Sequence, residues 1–196
     1  MLCYNALMAK KTKTPPTPDT ILDTALGMAD ETGWDALAML DLAERLRIMP
    51  AELNAVFADK NAIADAWFGR ALAAMLEPLP KGLKETEARV RLEVLMGRWF
   101  DALAPHRAVT AEMLGAKMWV FHPHHWVPMI FDLSRLVQWW RDAAGMTAMG
   151  RRRQIEEVTL TLIFLATLRV WCRDDSEDQD HTRAFLARRL RNPLFG

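Results

Sequence analysis

Cysteine is scarce in this chain, and neither sign of charge is in excess. The 196 residues include two cysteines, Cys3 and Cys172, at opposite ends of the sequence. This number and spacing exclude a disulfide framework and a CxxC metal or redox motif, and they predict a protein of the reducing cytoplasm. The 25 acidic and 25 basic side chains give a net charge of zero. Attraction to nucleic acid or to an anionic membrane would therefore need a local patch of charge.

Long apolar runs and alternating patterns are also missing. The longest apolar stretch, residues 158–172, is interrupted by threonines and by Arg169, and it is shorter than the roughly 20 residues that a membrane-spanning helix needs. Residues 1–8 lack the basic start and apolar core of a secretory signal, and translation could begin at Met1 or Met8. No run alternates between apolar and polar residues as strands do. We therefore expect an all-α protein without a membrane span.

Residue patterns typical of catalysis or of a bound cofactor do not stand out. The sequence offers no catalytic triad, phosphate-binding glycine loop or carboxylate pair, so we expect neither an enzyme nor a cofactor. His122, His124 and His125 surround Pro123, which prevents the i, i+4 pairing of ligands on a helix. These histidines fit a helix-entry turn better than a metal site. The acidic run 174–180 lacks the glycine and the terminal glutamate of a calcium loop, so we expect no metal.

Three short helical patterns stand near the start of the chain. They cover residues 21–34, 36–46 and 50–57, and Asp59 after them is suited to cap a fourth helix. A glycine at the end of the first pattern and a proline at the start of the third are typical of helix ends. This order predicts a three-helix, helix-turn-helix module that opens onto a fourth helix.

Breaks in composition divide the chain into three parts. Residues 1–17 are rich in lysine and proline and predict a disordered arm. The helix-turn-helix head covers residues 18–77. The proline- and glycine-containing segment 77–82 separates it from a helical body at residues 83–196.

The body is predicted to be helical throughout, and one of its helices is apolar on nearly every side. Helical patterns cover residues 85–103, 105–114, 126–140 and 152–172, followed by a last helix that contains Phe185. The pattern at 152–172 needs two burial partners, its own core and most simply the same helix of a second copy. We therefore predict a homodimer whose interface includes Leu162, Leu165 and Phe185.

The head resembles the TetR family of transcriptional regulators. The matching residues are Ile21, Leu22, Asp23, Thr24, Ala25, Leu26, Gly33, Trp34, Leu42, Ala43, Glu44, Arg45, Leu53, Phe57 and Lys60. The body agrees with that family in its helical architecture. The resemblance implies a homodimer that binds a pseudo-palindromic operator in double-stranded DNA through its third helix. It also implies that a small apolar ligand entering the body releases the DNA.

The same resemblance assigns DNA contacts to the head. Lys60 matches the lysine that contacts phosphate. Arg47 replaces the small turn residue of the family pattern, Met49 and Glu52 stand where it usually has a hydroxyl, and Asn54 stands where it often has an aromatic residue. Residues 19–70 contain ten acidic and four basic side chains, a net charge of −6, although phosphate contacts dominate affinity for nucleic acid. Three lysines of the arm could offset this deficit along the DNA backbone. They are Lys10, Lys11 and Lys13.

The C-terminal segment carries a second resemblance. Residues 169–178, with Thr182 and residues 184–190, are similar to the end of the lipid-binding ubiquinone-biosynthesis accessory proteins. Those proteins have a TetR-like fold and no longer bind DNA. This resemblance implies a protein that binds a lipid or a quinone intermediate, and it stands as the alternative to a DNA-binding regulator.

Both alternatives need an apolar pocket in the body. Methionine and aromatic side chains could line such a pocket, since methionine adapts to irregular apolar ligands. The candidate lining residues are Trp99, His106, Met113, Trp126, Met129, Trp140 and Phe164. His106, His125 and Gln138 would supply the polar contacts. The same side chains could equally form an ordinary core, and the sequence leaves the two possibilities open.

Overall fold

The computed structural model describes residues 16–117 and 123–195, and it describes only the backbone at 116, 117 and 123–131. Within these residues every regular element is helical, which confirms the all-α fold class. We label the α-helices α1 to α9 in chain order.

The head contains three short helices followed by a longer one. They are α1 (Pro18–Thr32), α2 (Met39–Leu46), α3 (Pro50–Val56) and α4 (Lys60–Met75). The Thr17 hydroxyl accepts from the Thr20 amide at the start of α1, and the Asp59 carboxylate accepts from the Ala62 amide at the start of α4. These N-caps satisfy amides that have no partner within the helix.

Most helix boundaries differ by one to three residues from those predicted from the sequence, and two of these differences coincide with turns. Helix α2 begins at Met39 instead of residue 36, because Leu37 is buried and its amide bonds to the Trp34 carbonyl in a turn. Gly33, with φ of +90°, ends α1 as expected. The second difference is at the start of α5 (Ala88–Leu103), where residues 83–85 form a separate 3-10 turn.

The remaining helices form the body together with α5. A 3-10 turn at Ala104–His106 leads into α6 (Arg107–Lys117), and α7 (Pro123–Ala143) is followed by α8 (Gly150–Trp171) and α9 (Asp180–Leu190). A short turn, Glu177–Gln179, joins α8 to α9, and another, Pro193–Phe195, follows α9. Helix α5 packs against α4, α7 and α9, so it lies at the centre of the body.

A single cluster of buried apolar residues runs from the head into the body. Its aromatic centre joins α5 and α8. The ring centres of Trp99 and Phe164 are 5.3 Å apart with edge-to-face geometry, and those of Phe100 and Trp171 are 5.6 Å apart. Trp140 of α7 is buried, and its indole N–H donates to the Leu92 carbonyl at 2.8 Å. Aromatic pairs of this kind stabilise a core beyond the area they bury.

Helix α6 and the 3-10 turn before it connect the head to the body through polar contacts. The Glu112 carboxylate accepts from the Trp34 amide at 2.6 Å, and His106 Nδ1 lies 2.6 Å from an Asp30 oxygen. Trp67 Nε1 donates to the buried Thr110 hydroxyl at 2.9 Å. The head is therefore held on the body at specific positions of α1, α4 and α6.

Across residues 16–117 and 123–195, no helix is both long and apolar enough to span a membrane.

Candidate nucleic-acid interface and ligand cavity

The outer face of α3 is the surface that a helix-turn-helix head would present to DNA. It exposes two alanines, Val56 and the two polar residues Glu52 and Asn54. Met49, just before α3, is 65% exposed. The surface is therefore mainly apolar, with one carboxylate and one amide.

Both polar side chains of α3 are used to complete the helix. The Glu52 carboxylate accepts from the Met49 amide at 2.7 Å, which caps the N-terminus. The Asn54 amide donates to the Ala58 carbonyl at 3.2 Å beyond the C-terminus. A base or phosphate would have to compete with these local bonds, and the role of Glu52 and Asn54 at DNA stays a prediction.

Lys60 is likewise engaged within the head. Its ammonium donates to the carbonyls of Trp34 and Asp35, at 2.9 and 3.3 Å, and lies 5.3 Å from the Trp34 ring centre. Lys60 thus closes the turn between α1 and α2 from the start of α4. Its proposed phosphate contact would require it to leave or share these partners.

The other basic residues of the head are mostly neutralised. Arg45 pairs with Glu31 at 3.2 Å, and Arg70 bridges two acids of α1. Arg47 ends α2 in the left-handed region, with φ of +57°, and is exposed. In the described part of the chain it is the one basic residue of 19–70 whose side chain has no partner. Lys10, Lys11 and Lys13 of the predicted arm lie outside the described residues.

A cavity of about 590 Å³ opens between α4 of the head and α5, α6, α7 and α8 of the body. We call it the main cavity. Among the described side chains, its apolar wall consists of Phe68, Leu72, Trp99, Leu114, Leu133, Leu136, Phe164, Leu165 and Leu168. Its charged residues are Asp65, Asp132 and Arg135, the last two in an ion pair of 3.4 Å. An apolar wall with a few polar groups is typical of a site for a hydrophobic ligand.

The structure places only part of the predicted pocket at the main cavity. Trp99 and Phe164 line it. Met113 and Trp140 are fully buried in the core and are not among the described lining residues, so their role at a ligand stays a prediction. His106 lies at the junction between head and body, where it contacts Asp30 and the edge of the Trp67 ring.

The other predicted pocket residues fall outside the cavity or outside the described side chains. Gln138 is exposed and is not among the described lining residues. The side chains of Trp126, Met129 and His125 lie outside the described residues, as do those of His122 and His124. Sequence reasoning missed Phe68 and Leu72 of α4, whose i, i+4 spacing marks an apolar face that the head alone does not bury.

A second, smaller depression of about 310 Å³ lies between α7 and α8. We call it the side groove. Its lining residues are Leu133, Ser134, Val137, Glu157, Val158, Thr161 and Leu162.

One face of α8 is apolar and exposed. Ile155, Val158, Leu162 and Leu165 form a stripe along this face, and Val158 and Leu162 are 60% and 63% exposed. We call these four residues the α8 stripe. Phe185 of α9 is half-buried beneath the guanidinium groups of Arg188 and Arg189, 5.4 and 4.9 Å from its ring centre.

The acidic turn between α8 and α9 is organised around one buried carboxylate. Asp174 accepts from the amides and hydroxyls of Ser176 and Thr182. Burial alone would raise the pKa of Asp174, but these hydrogen bonds hold the pKa well below its usual range. The turn is thus a structural cap. Within the described ranges no group of three metal-binding side chains occurs.

Comparison with known proteins agrees with both resemblances. The TetR transcriptional regulator from Nitrosomonas europaea ATCC 19718 is 40% identical, with a TM-score of 0.78 over 88% of this chain and 95% of that chain. The COQ9 family model matches residues 142–193, which include the C-terminal segment that carried the second resemblance. No curated protein matches the chain.

Two further solved structures share the fold at lower identity. A TetR transcriptional regulator from Rhodococcus sp. RHA1 is 16% identical, with a TM-score of 0.58 over 88% of this chain and 93% of that chain. The TetR family regulator PfmR from Thermus thermophilus is 20% identical, with a TM-score of 0.53 over 88% of this chain and 98% of that chain.

Proposed function

The chain belongs to the TetR family, and on this premise we propose that its body binds a hydrophobic ligand, a lipid or a quinone-like molecule, in the main cavity. The observation that carries this proposal is the cavity itself, about 590 Å³ with nine apolar side chains in its described wall. A cavity of this size can enclose most of a small hydrophobic molecule. The COQ9 match over residues 142–193 supports a lipid-like ligand.

We further propose that the protein acts as a homodimer through α8 and α9. The α8 stripe supports this proposal because contiguous apolar surface on a helix is stabilised when a second copy covers it. A two-fold axis beside α8 would place the two stripes against each other. The interface would include Leu162 and Leu165, with Phe185 of α9 at its margin.

Ligand-responsive DNA binding is a second candidate function. It is favoured by the helix-turn-helix head and by the 40% identical relative, which is named as a transcriptional regulator. The residues of the head weigh against it, because Glu52, Asn54 and Lys60 are engaged in local hydrogen bonds and residues 19–70 carry a net charge of −6. For this reason we place ligand binding first.

Extraction of the purified protein with organic solvent, followed by mass spectrometry, tests the ligand proposal. We expect a lipid or quinone-like molecule in near-stoichiometric amount, and adding it back should raise the melting temperature by mass action on the folded state. A protein that yields no such molecule, and whose melting temperature does not respond to any hydrophobic compound, would overturn the proposal.

Binding to DNA from upstream of its own gene, across a salt series, separates the two candidates. A lipid-binding protein without DNA activity gives no specific complex at any salt concentration. A regulator gives specific binding that the ligand alters, because the two sites are then linked.

If the protein is a regulator, Lys60→Ala should flatten the slope of log affinity against log salt by about one unit, as expected for one lost phosphate contact. Glu52→Gln, which keeps an acceptor for the Met49 amide, should tighten non-specific binding.

A further inference from the structure

The main cavity and the side groove meet at one residue. Leu133 of α7 lines both, so its side chain stands between the two spaces. On α8 the main cavity is lined by Phe164, Leu165 and Leu168, and the side groove by residues of 157–162. From residue 157 to residue 168 a helix rises about 16 Å. The two spaces therefore follow each other along α8.

Two of the three polar side chains in the described wall of the side groove already have partners. The Thr161 hydroxyl donates to the Glu157 carbonyl at 2.7 Å, and the Glu157 carboxylate pairs with Arg153 at 2.7 Å. The rest of the described wall is apolar apart from Ser134, which is exposed at the margin. An apolar chain can therefore lie in this groove without removing a hydrogen bond from these residues.

We propose that the main cavity and the side groove form one elongated site for a chain-like lipid, with Leu133 as the movable partition between them. The polar end of the ligand lies beside Asp132 and Arg135 at the charged edge of the main cavity, and its apolar tail extends past Leu133 into the side groove. This inference rests on the proposed binding of a hydrophobic ligand in the main cavity. It adds the class of ligand and the residues that set its length.

The same arrangement links ligand binding to dimerisation. Val158 and Leu162 belong to the α8 stripe and also line the side groove, and Leu165 belongs to the stripe and lines the main cavity. A second copy that covers the stripe would close the outer side of the groove over the tail. Because one set of side chains serves both contacts, a long ligand should strengthen the dimer more than a short one.

Calorimetric titration of the full chain with 1-alkanols of increasing length tests the proposal. Each methylene group that enters an apolar site contributes at most about fourfold in affinity, from roughly 0.8 kcal/mol per buried methylene. We expect the affinity to keep rising for chains longer than the main cavity can hold.

Ser134→Trp is the variant that fills the side groove from its exposed margin. It should remove most of the gain for long alkanols and leave the affinity for short alkanols unchanged. Thr161→Trp fills the groove from α8 and should act in the same way, so the test does not depend on one variant folding. Gln138→Trp, an exposed position on α7 outside the described linings of both spaces, is the matched control and should bind every chain length like the wild type.

The outcomes separate the two proposals. If not even short alkanols bind, ligand binding in the main cavity fails. If short alkanols bind but longer chains give no gain, or if Ser134→Trp weakens short and long chains equally, the elongated site is wrong. A monomeric variant with an unchanged groove gives the last outcome. Ile155→Glu charges the α8 stripe at a residue outside the described linings of both spaces. If long chains give no gain in a wild-type dimer but do so in the Ile155→Glu monomer, side chains of the second copy fill the groove, and this also overturns the inference.

Discussion

The head and the body differ in which of their surface groups already have partners within the protein. In the head, the polar side chains that could face DNA bond to the head itself: Glu52 to the Met49 amide, Asn54 to a carbonyl after α3, and Lys60 to the turn between α1 and α2. In the body, the main cavity and the α8 stripe leave apolar surface open. The difference indicates that the body carries the enclosed apolar space of this protein, whereas the apolar residues exposed by the head, Leu40, Met49 and Val56, lie on its outer surface.

The physical reason is the free energy that each kind of surface gains when a ligand binds to it. A polar side chain that already has a good partner gains little when a ligand replaces that partner, because one hydrogen bond is exchanged for another. Apolar area removed from water contributes about 25 cal/mol per Å². The body therefore offers the larger driving force for binding.

The body has a packed core of its own beside the main cavity, and Trp140 lies in it. Trp140→Ala should lower the free energy of unfolding by about 3–5 kcal/mol, because it leaves a large cavity beside Leu92. Chemical denaturation of the ligand-free protein measures this. Its neighbour Trp139 is 49% exposed, and Trp139→Ala should cost less than about 1 kcal/mol. Equal losses for the two tryptophans would contradict the packing described for α7.

The next effect concerns the α8 stripe. Leu162→Glu should weaken the dimer by about 2–3 kcal/mol per copy, since it removes apolar burial and adds a charge that must be desolvated. Sedimentation velocity at micromolar concentration should then show a monomer. Gln138→Glu adds the same charge at an exposed position outside the stripe and should sediment like the wild type. A wild-type protein that is already monomeric would remove the homodimer from the proposal.

The turn at Asp174 gives a smaller effect that depends on pH. Asp174→Asn should cost about 2 kcal/mol at neutral pH, because hydrogen bonds to a charged acceptor are among the stronger ones. The lowered pKa of Asp174 means that its stabilising contribution is complete above the unfolded-state pKa of about 3.9 and is lost as the pH falls toward the folded-state pKa.

Unfolding curves of wild type and Asp174→Asn, recorded at several pH values, should therefore converge below about pH 4. Asp175→Asn, at the exposed neighbouring position, is the control and should show little loss at any pH. A difference between wild type and Asp174→Asn that stays constant into acid would mean that the carboxylate is not stabilised by its hydrogen bonds.

The smallest expected effect lies in the head. Lys60→Ala should lower the free energy of unfolding by about 1 kcal/mol, because the carbonyls of Trp34 and Asp35 lose their donor at a partly exposed site. Lys60→Arg retains a donor and should lose less. Thermal melts of the three proteins measure this order. If Lys60→Ala is as stable as the wild type, the ammonium is not needed for the turn and is available for phosphate.

The sequence by itself determined the helices and the family. Apolar periodicity, Gly33, Pro50 and the cap at Asp59 are local signals, and local signals are sufficient to place helix ends within a few residues. The likeness to a TetR regulator over 88% of this chain agrees with this, since the residues that carried the resemblance are mostly buried and capping positions of the head. The apolar excess of α8 was also visible in the sequence, because a helix that is apolar on all sides exceeds what one core can cover.

Only the tertiary structure decided how individual side chains are used. The sequence left Trp140 as either a pocket residue or a core residue, and packing directed its indole to Leu92 in the core and left Leu133 and Leu136 at the cavity. Glu156, inside the apolar helix α8, is buried against Arg141 at 3.0 Å, a pair that no local pattern predicts. These outcomes depend on which helices pack together and on their relative positions along the helix axes. Contacts between residues far apart in the chain set both.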